Sequence, residues 1–370
     1  MPRRPTVLLL TPHLGGGGAE AVIARLASHL NPEKYEIHLG ILAHAQNKVD
    51  TDTLPSHIVL HIASYRHVRN ATLFLLKLTW RLRPKLIVCG MVHLNFLVLL
   101  LRPFMPPGAR IIVRQNCTLP KDLPQNSAHP RTQRLYRFLY PAADRIICQS
   151  PEMADDLSQI LSLEPRKLVV LRNPIDNESI KLVIDRSDSF WKGPGPHLLA
   201  IGRLADEKGI DILLRAFHAL ISEFPLLDLT VLGEGPESAS LQSLARFLGL
   251  EARVFFPGHV PEPAVFFRGT TLFVLSSRRE AMPNALLEAA AAGLPLVATP
   301  ASPALPSLLG SQPGVWLATD CTPEALAEAI GKALRALSSN ERFSHEWIEP
   351  FCLRNVIRHY ENLLDALLLG

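Results

Sequence analysis

Two doubly wound α/β domains in tandem are what this sequence predicts, on three observations. The chain has 370 residues, more than one ordinary domain needs. Short apolar runs alternate with segments whose apolar residues recur at i, i+3 and i+4, the signature of parallel strands covered by helices on both faces. The alternation is interrupted once, by the polar stretch DRSDSFWKGPGP at 185–196, whose two Gly-Pro pairs read as a linker.

Taken in order, strands are expected at 7–10, 36–42, 58–61, 85–89, 110–114, 145–148 and 168–171, with helices such as 19–30 and 72–81 between them. After the linker come strands at 197–201, 228–232, 253–256, 272–275, 296–298 and 315–317, and helices at 210–224, 237–248 and 284–292. The domains are therefore drawn at 1–185 and 186–350, and the apolar stripe of 351–370 marks a last helix.

Apolar residues make up 48% and charged residues 19%, which fits a globular protein and excludes a disordered one. The five cysteines are scattered without a C-x-x-C pair, which argues against a disulfide framework and a zinc site and favours a reducing cytoplasm. The opening MPRRPTVLLLTPH reads as a first strand, because its apolar run is short, broken by Thr and Pro, and followed by no small-residue cleavage site. The window 86–101 is too short for a membrane span and carries Gly90, His93 and Asn95, so it reads as a strand and a buried helix. Net charge is +4 but unevenly spread: residues 1–185 hold 23 Lys and Arg against 14 Asp and Glu, and the remainder is net acidic. The basic half is the one expected to meet an anionic surface.

The chemistry-bearing stretches sit at strand ends. LLLTPHLGGGGAEAVIARL is a strand, a glycine loop and a helix, suited to close approach of an anion. It is not a dinucleotide fingerprint, because counting from Gly15 the third glycine position holds Glu20. In AIGRLADEKGIDILL, Arg203 follows a strand and Lys208 precedes a helix, two cations suited to a diphosphate. VLGEGPE puts Glu234 between two glycines, and FFPGHVPE is another strand-end loop. In SSRREAMPNALLEAAAAGLPLVAT, Pro283 suits a first helical position, so Glu280 lies before the helix and Glu288 about a turn and a half inside it. Such a pair could hold the sugar and ribose hydroxyls of a nucleotide sugar, with the helix N–H groups meeting the phosphates.

In this order, Gly17-Gly18-Ala19-Glu20, Asn173-Pro174-Ile175-Asp176, Gly202-Arg203, Lys208-Gly209, Gly233-Glu234-Gly235, and Glu280 to Glu288 followed by Gly293-Leu294-Pro295 resemble the GT-B glycosyltransferases of family 4. The resemblance implies two Rossmann-like domains facing across a cleft and retaining transfer from a nucleotide-diphosphate sugar, with a UDP-sugar as the expected donor and neither metal nor cofactor. It makes Arg203 and Lys208 the neutralising cations and Glu280 the group that holds the transferred sugar. Gly17, Gly18, Gly202, Glu234, Pro283, Asn284, Ala285 and Glu288 become donor-binding residues, and the last helix crosses back to the first domain. A saccharide or lipid-linked acceptor in cell-envelope or exopolysaccharide synthesis is the implied setting.

Three departures stand out. Ala281-Met282 replace the family's Gly-Phe, Ser302-Pro303-Ala304-Leu305 lack the acid of a Gly-Pro-x-Glu loop, and Arg114-Gln115-Asn116 stand where many members carry His-Asn. Gln115 cannot act as an imidazole, which leaves His93 and His13 as candidates for the acceptor-side or catalytic histidine. The segment HPRTQRLYRFLYP, with Arg131, Arg134 and Arg137, suits an anionic membrane or a lipid diphosphate as well as an ordinary amphipathic helix. The expected location is cytoplasmic, with peripheral attachment to the membrane face; no nucleic-acid motif accompanies the charge. A nucleotide-sugar 2-epimerase and a non-catalytic nucleotide-sugar-binding protein remain the alternatives.

Overall fold

The computed structural model describes residues 4–14, 17–42, 54–63, 65, 67–117, 130–191, 193–338 and 341–369. The chain forms two compact units, Met1–Pro174 with Arg354–Gly370 and Ile175–Leu353.

The first unit is a seven-stranded parallel sheet: β1 (Thr6–Thr11), β2 (Glu36–Ile41), β3 (Val59–Ile62), β4 (Leu86–Cys89), β5 (Arg110–Arg114), β6 (Arg145–Cys148) and β7 (Leu168–Val170), ordered β3-β2-β1-β4-β5-β6-β7. Its helices are α1 (Gly18–His29), α2 (Thr72–Leu82), α3 (Val92–Leu101), α4 (Pro130–Leu139) and α5 (Pro151–Leu161). Val7, Leu8, Leu9 and Leu10 are all fully buried, as a central strand covered on both faces requires. The window 86–101 is indeed β4 followed by α3. Among the described residues no helix is long and apolar enough to cross a membrane.

The second unit opens with α6 (Asn177–Arg186) and builds a six-stranded parallel sheet from β8 (His197–Ile201), β9 (Asp228–Leu232), β10 (Val254–Gly258), β11 (Leu272–Leu275), β12 (Leu296–Ala298) and β13 (Val315–Leu317), ordered β10-β9-β8-β11-β12-β13. Its other helices are α7 (Ile210–Leu220), α8 (Ser238–Phe247), α9 (Asn284–Ala291), α10 (Ala304–Leu309) and α11 (Pro323–Ala336). One apolar cluster joins Leu198, Leu229 and Val274 to α7, α8 and α11; another joins Leu199, Phe273 and Leu296 to α6, α9 and α10. Strand order reverses between β1 and β4 in the first sheet and between β8 and β11 in the second, and ligands of open α/β sheets bind at such reversals.

The units divide at 174/175, not at the expected 185/186. Ile175 is fully buried and Ile180 nearly so in the second unit's core, so α6 belongs there despite the polar sequence that follows it. Ile175 pairs with the chain's exit from the same unit, its N–H donating to Phe351 O at 2.8 Å and its carbonyl accepting from Leu353 N at 2.9 Å. The linker lies along the second unit: Trp191 stacks on His197 with centroids 4.6 Å apart and donates to Phe266 O at 3.2 Å. Lys192 lies outside the described residues.

The last helix, α12 (Leu353–Leu369), starts two residues later than expected, after a 3-10 turn over Glu346–Phe351. From Arg354 onward it belongs to the first unit. Val356, Ile357, Tyr360, Leu364 and Leu367 form its buried stripe. The Tyr35 hydroxyl donates to Asp365, and Asn31 N donates to Glu361 at 2.9 Å. Burial and these carboxylates raise the Tyr35 pKa above its ordinary value.

On β2 and β3 the ring nitrogens His38 Nδ1 and His61 Nε2 lie 2.8 Å apart, with the ring centroids at 5.1 Å, and Arg81 lies 3.0 Å from His61 Nδ1. Burial, His38 and Arg81 push the His61 pKa down to about 4. An unfolded histidine titrates near about 6.5, so the unfolded chain binds a proton that the fold refuses. Stability should therefore be full above about pH 6.5 and decline as pH falls toward 4. Thermal melts between about pH 7.5 and 5 should show this slope in the wild type and a shallower one in His61→Gln. Equal slopes would remove His61 as its source.

Candidate active site

A cluster of polar contacts lies where β8 and β11 end, on either side of the reversal in strand order. After β8 the chain passes Gly202 and Arg203, makes a 3-10 turn over Asp206–Lys208, and enters α7 through Gly209 at φ 59°. A Cβ on Gly209 would stand 2.2 Å from Ser276 O, so glycine is needed for the loops after β8 and β11 to meet. Ser276 Oγ donates to Lys208 O at 3.0 Å, and Arg278 N donates to Glu207 O at 2.9 Å. The Arg278 guanidinium forks onto Asp211 through two 2.7 Å bonds and holds that carboxyl below its ordinary pKa.

Within this frame Lys208 Nζ donates to Glu280 Oε1 at 2.6 Å, and Ser277 Oγ donates to the same oxygen at 2.7 Å. The Glu280 N–H donates to Ala301 O at 3.0 Å, which fixes the residue from β12's side as well. The Glu280 side chain is 9% exposed and that of Lys208 is 25%. Both bonds fall on Oε1, so Oε2 remains an acceptor, and an ammonium carries three protons of which Glu280 takes one. Arg203 is far more open, its side chain 63% exposed and 3.2 Å from Glu207.

The remaining predicted donor residues flank this pair. Gly233, at φ 135°, would bring a Cβ within 2.0 Å of Gly202 O, so the loops after β8 and β9 run backbone against backbone. Glu234 is exposed, its Oε1 3.4 Å from the His259 N–H at the end of β10. Pro283 is the N-cap of α9 and not its first residue, a one-position correction that follows from its extended ψ of 104°. No side chain caps that turn, where Asn284 and Ala285 are half-buried. Glu288, fifth in the helix, is half-buried, while Leu286 and Leu287 anchor α9 in the core.

In the first unit the reversal brings His13, after β1, near His93 in the first turn of α3. His13 Nε2 lies 3.5 Å from Glu20 Oε1, and Glu20 is 5% exposed. A Cβ on Gly17, the N-cap of α1, would meet the Glu20 carboxylate at 2.1 Å, so a side chain there would displace that carboxylate; Gly18 begins the helix. Gly15 lies outside the described residues. Desolvation and the His13 charge lower the His93 pKa below its ordinary value.

Gln115 is not open to a ligand. It is fully buried, accepting from the Tyr140 hydroxyl at 2.6 Å and donating to Cys117 O at 2.8 Å. Arg114, also fully buried, donates to Asn173 at 2.8 Å and to Asn116 at 3.1 Å. The Arg114-Gln115-Asn116 departure is thus a packed polar network. Sequence reasoning missed Ser277 and Glu20 as site residues. The signals were a Ser-Ser pair directly after a buried strand and an acid at the third helical position after the glycine run.

The Lys208–Glu280 bond should be measurable without ligand. Lys208→Met or Glu280→Leu each strands a largely buried polar partner, at a cost of about 1–3 kcal/mol. The double variant should lose less than the sum of the singles by about 0.5–3 kcal/mol in urea unfolding. Strict additivity would mean that the pair does not couple.

Comparison with known proteins agrees with this geometry. Residues 184–348 match the family described as "Glycosyl transferases group 1", and residues 16–179 match "Glycosyltransferase Family 4". The chain is 29% identical over 302 residues to the Campylobacter jejuni N-acetylgalactosamine-N,N'-diacetylbacillosaminyl-diphospho-undecaprenol 4-alpha-N-acetylgalactosaminyltransferase, covering 77% of this chain and 78% of that one. Among solved structures, sucrose-phosphate synthase from Thermosynechococcus elongatus matches with a TM-score of 0.81 at 16% identity, over 99% of this chain and 100% of that one. HepE from Anabaena in complex with UDP-glucose matches with a TM-score of 0.79 at 16% identity, over 98% of this chain and 100% of that one. With both units matched, the chain belongs to the GT-B glycosyltransferases of group 1, family 4.

Proposed function

We propose that the protein transfers a sugar, with retention, from a UDP-sugar bound by the second unit to a saccharide carried on a lipid diphosphate, with acceptor recognition assigned to the first unit. The observation that carries the reading is the Lys208–Glu280–Ser277 cluster at the second sheet's strand-order reversal, in a chain of this family. The HepE match with UDP-glucose supports the choice of UDP, and the similarity to a transferase named for a diphospho-undecaprenol acceptor supports a lipid-linked one. Cell-envelope assembly is the proposed setting.

When the anomeric carbon–oxygen bond breaks, its electrons stay on the diphosphate. Lys208 and Arg203 neutralise that charge, an electrostatic stabilisation that grows toward the transition state and requires no metal ion. Glu280, through Oε2, accepts hydroxyls of the departing sugar, and Glu288 accepts those of the ribose. The N–H groups opening α9 face the phosphates, with Gly202, Glu234, Pro283, Asn284 and Ala285 shaping the surrounding loops; Gly17 and Gly18 are assigned to the donor as well. The acceptor hydroxyl attacks the anomeric carbon and its proton passes to the leaving phosphate oxygen, so no second carboxylate serves as nucleophile, unlike paired-acid glycosidases. His13 and His93 are assigned to the acceptor hydroxyls, a role Gln115 cannot take from its buried network.

UDP should raise the melting temperature of the wild type, and Glu288→Ala should lose most of that rise. Release of UDP from a UDP-sugar should require a lipid-diphosphate saccharide, persist in a chelator, and fall by about 10²–10³ in kcat for Lys208→Met. Acceptor-independent conversion of the UDP-sugar to its 2-epimer would favour the 2-epimerase reading. Binding without turnover on any acceptor would favour the binding protein, and no nucleotide shift at all would sink the transferase reading.

A further inference from the structure

We propose that Thr299 is a positioning residue for Glu280, fixing that carboxylate from the β12 side through two separate lines of hydrogen bonds. This rests on the transferase reading, in which Glu280 holds the transferred sugar.

Glu280 lies in the stretch 276–283 between β11 and α9, which is neither helix nor strand, so no backbone ladder fixes it. Its place is set by bonds to neighbouring loops. Lys208 Nζ and the carbonyls of Glu207 and Lys208 hold the stretch from the β8 side. On the other side stands Thr299, the residue after β12, which is polar yet fully buried.

Thr299 Oγ1 lies 2.6 Å from Ser277 O and 3.3 Å from Leu275 O. A hydroxyl has one proton, and the shorter distance gives it to Ser277. Ser277 in turn donates from Oγ to Glu280 Oε1 at 2.7 Å, which completes a line from hydroxyl to carboxylate. The second line runs through the backbone: Ala301 N donates to Thr299 O at 2.8 Å, and Glu280 N donates to Ala301 O at 3.0 Å. The Ala301-to-Thr299 bond closes a three-residue turn around Pro300. A proline there holds φ near about −65°, close to the about −75° that an inverse γ-turn needs at its centre.

The two lines meet on one residue, at its side chain and at its backbone. Pairing of the strands does not need the Thr299 hydroxyl, because Thr299 N already donates to Leu275 O at 2.9 Å. The proton goes instead to the residue that anchors Glu280. Cys321 Sγ also approaches Ser277 O, at 3.7 Å, but a thiol is a weak donor and does not replace a hydroxyl. With Oε1 anchored by Lys208 and Ser277, the direction in which Oε2 points follows from where Ser277 is held.

Thr299→Val keeps the branched shape and removes the proton, whereas Thr299→Ser keeps the proton. The test is calorimetric binding of UDP and of UDP-glucose to the wild type and both variants, beside a ligand-free crystal structure of Thr299→Val. UDP lacks the sugar, so its Kd should stay within about twofold throughout, while UDP-glucose should bind about tenfold more weakly to Thr299→Val and normally to Thr299→Ser. The crystal structure should show Ser277 Oγ drawn away from Glu280 Oε1. If Thr299→Val does not fold, Ser277→Ala breaks the same line one residue later and should show the same selective loss. Equal loss of UDP and UDP-glucose, a serine variant as weak as the valine one, or an undisturbed Ser277–Glu280 bond would overturn the proposal. A wild type that binds neither ligand would count against the donor reading instead, and the ligand-free structure would still decide the role of Thr299.

Discussion

The Lys208–Glu280 bond joins two loops that leave neighbouring strands in opposite topological directions, and the candidate site depends on that joint. A parallel sheet aims its strand ends at one edge but leaves a gap where the order reverses. The 2.6 Å bond spans it, with Gly209 admitting the close approach and the Arg278–Asp211 fork bracing it from beneath. Because the carboxylate uses one oxygen for both Lys208 and Ser277, the joint leaves donors and an acceptor for a ligand. Rigidity and binding capacity come from the same few side chains.

The first unit solves the same topological problem with different chemistry. Its reversal carries His13, Glu20 and His93, a buried carboxylate beside two imidazoles, where the second unit has a lysine–carboxylate pair. A residue that sequence comparison marks as a departure, Gln115, turns out to be structural, bridging Tyr140 to the backbone after β5. Its amide is enclosed, which is why the proposal assigns the acceptor hydroxyls to the histidines at the reversal.

Much of this was legible in the sequence because parallel strands buried on both faces read as continuous apolar runs, and both sheets follow such runs. The window 86–101 was readable as β4 and α3 because a glycine and two polar residues break its apolarity. The unit boundary was less legible. The polar linker suggested a break at 185, whereas Ile175 and Ile180 commit the chain to the second core ten residues earlier, through long-range packing that no local pattern encodes. Lys208 and Glu280 were each visible as chemistry, but their contact was not, since 72 positions of chain separate them.

A crystal structure of the chain with a bound UDP-sugar tests the central claim most directly. The account predicts a diphosphate oxygen at about 3 Å from Lys208 Nζ and a sugar hydroxyl at similar distance from Glu280 Oε2, with the loops after β8 and β11 still joined. A nucleotide sugar bound away from both loops, or a diphosphate held without Lys208, would contradict it.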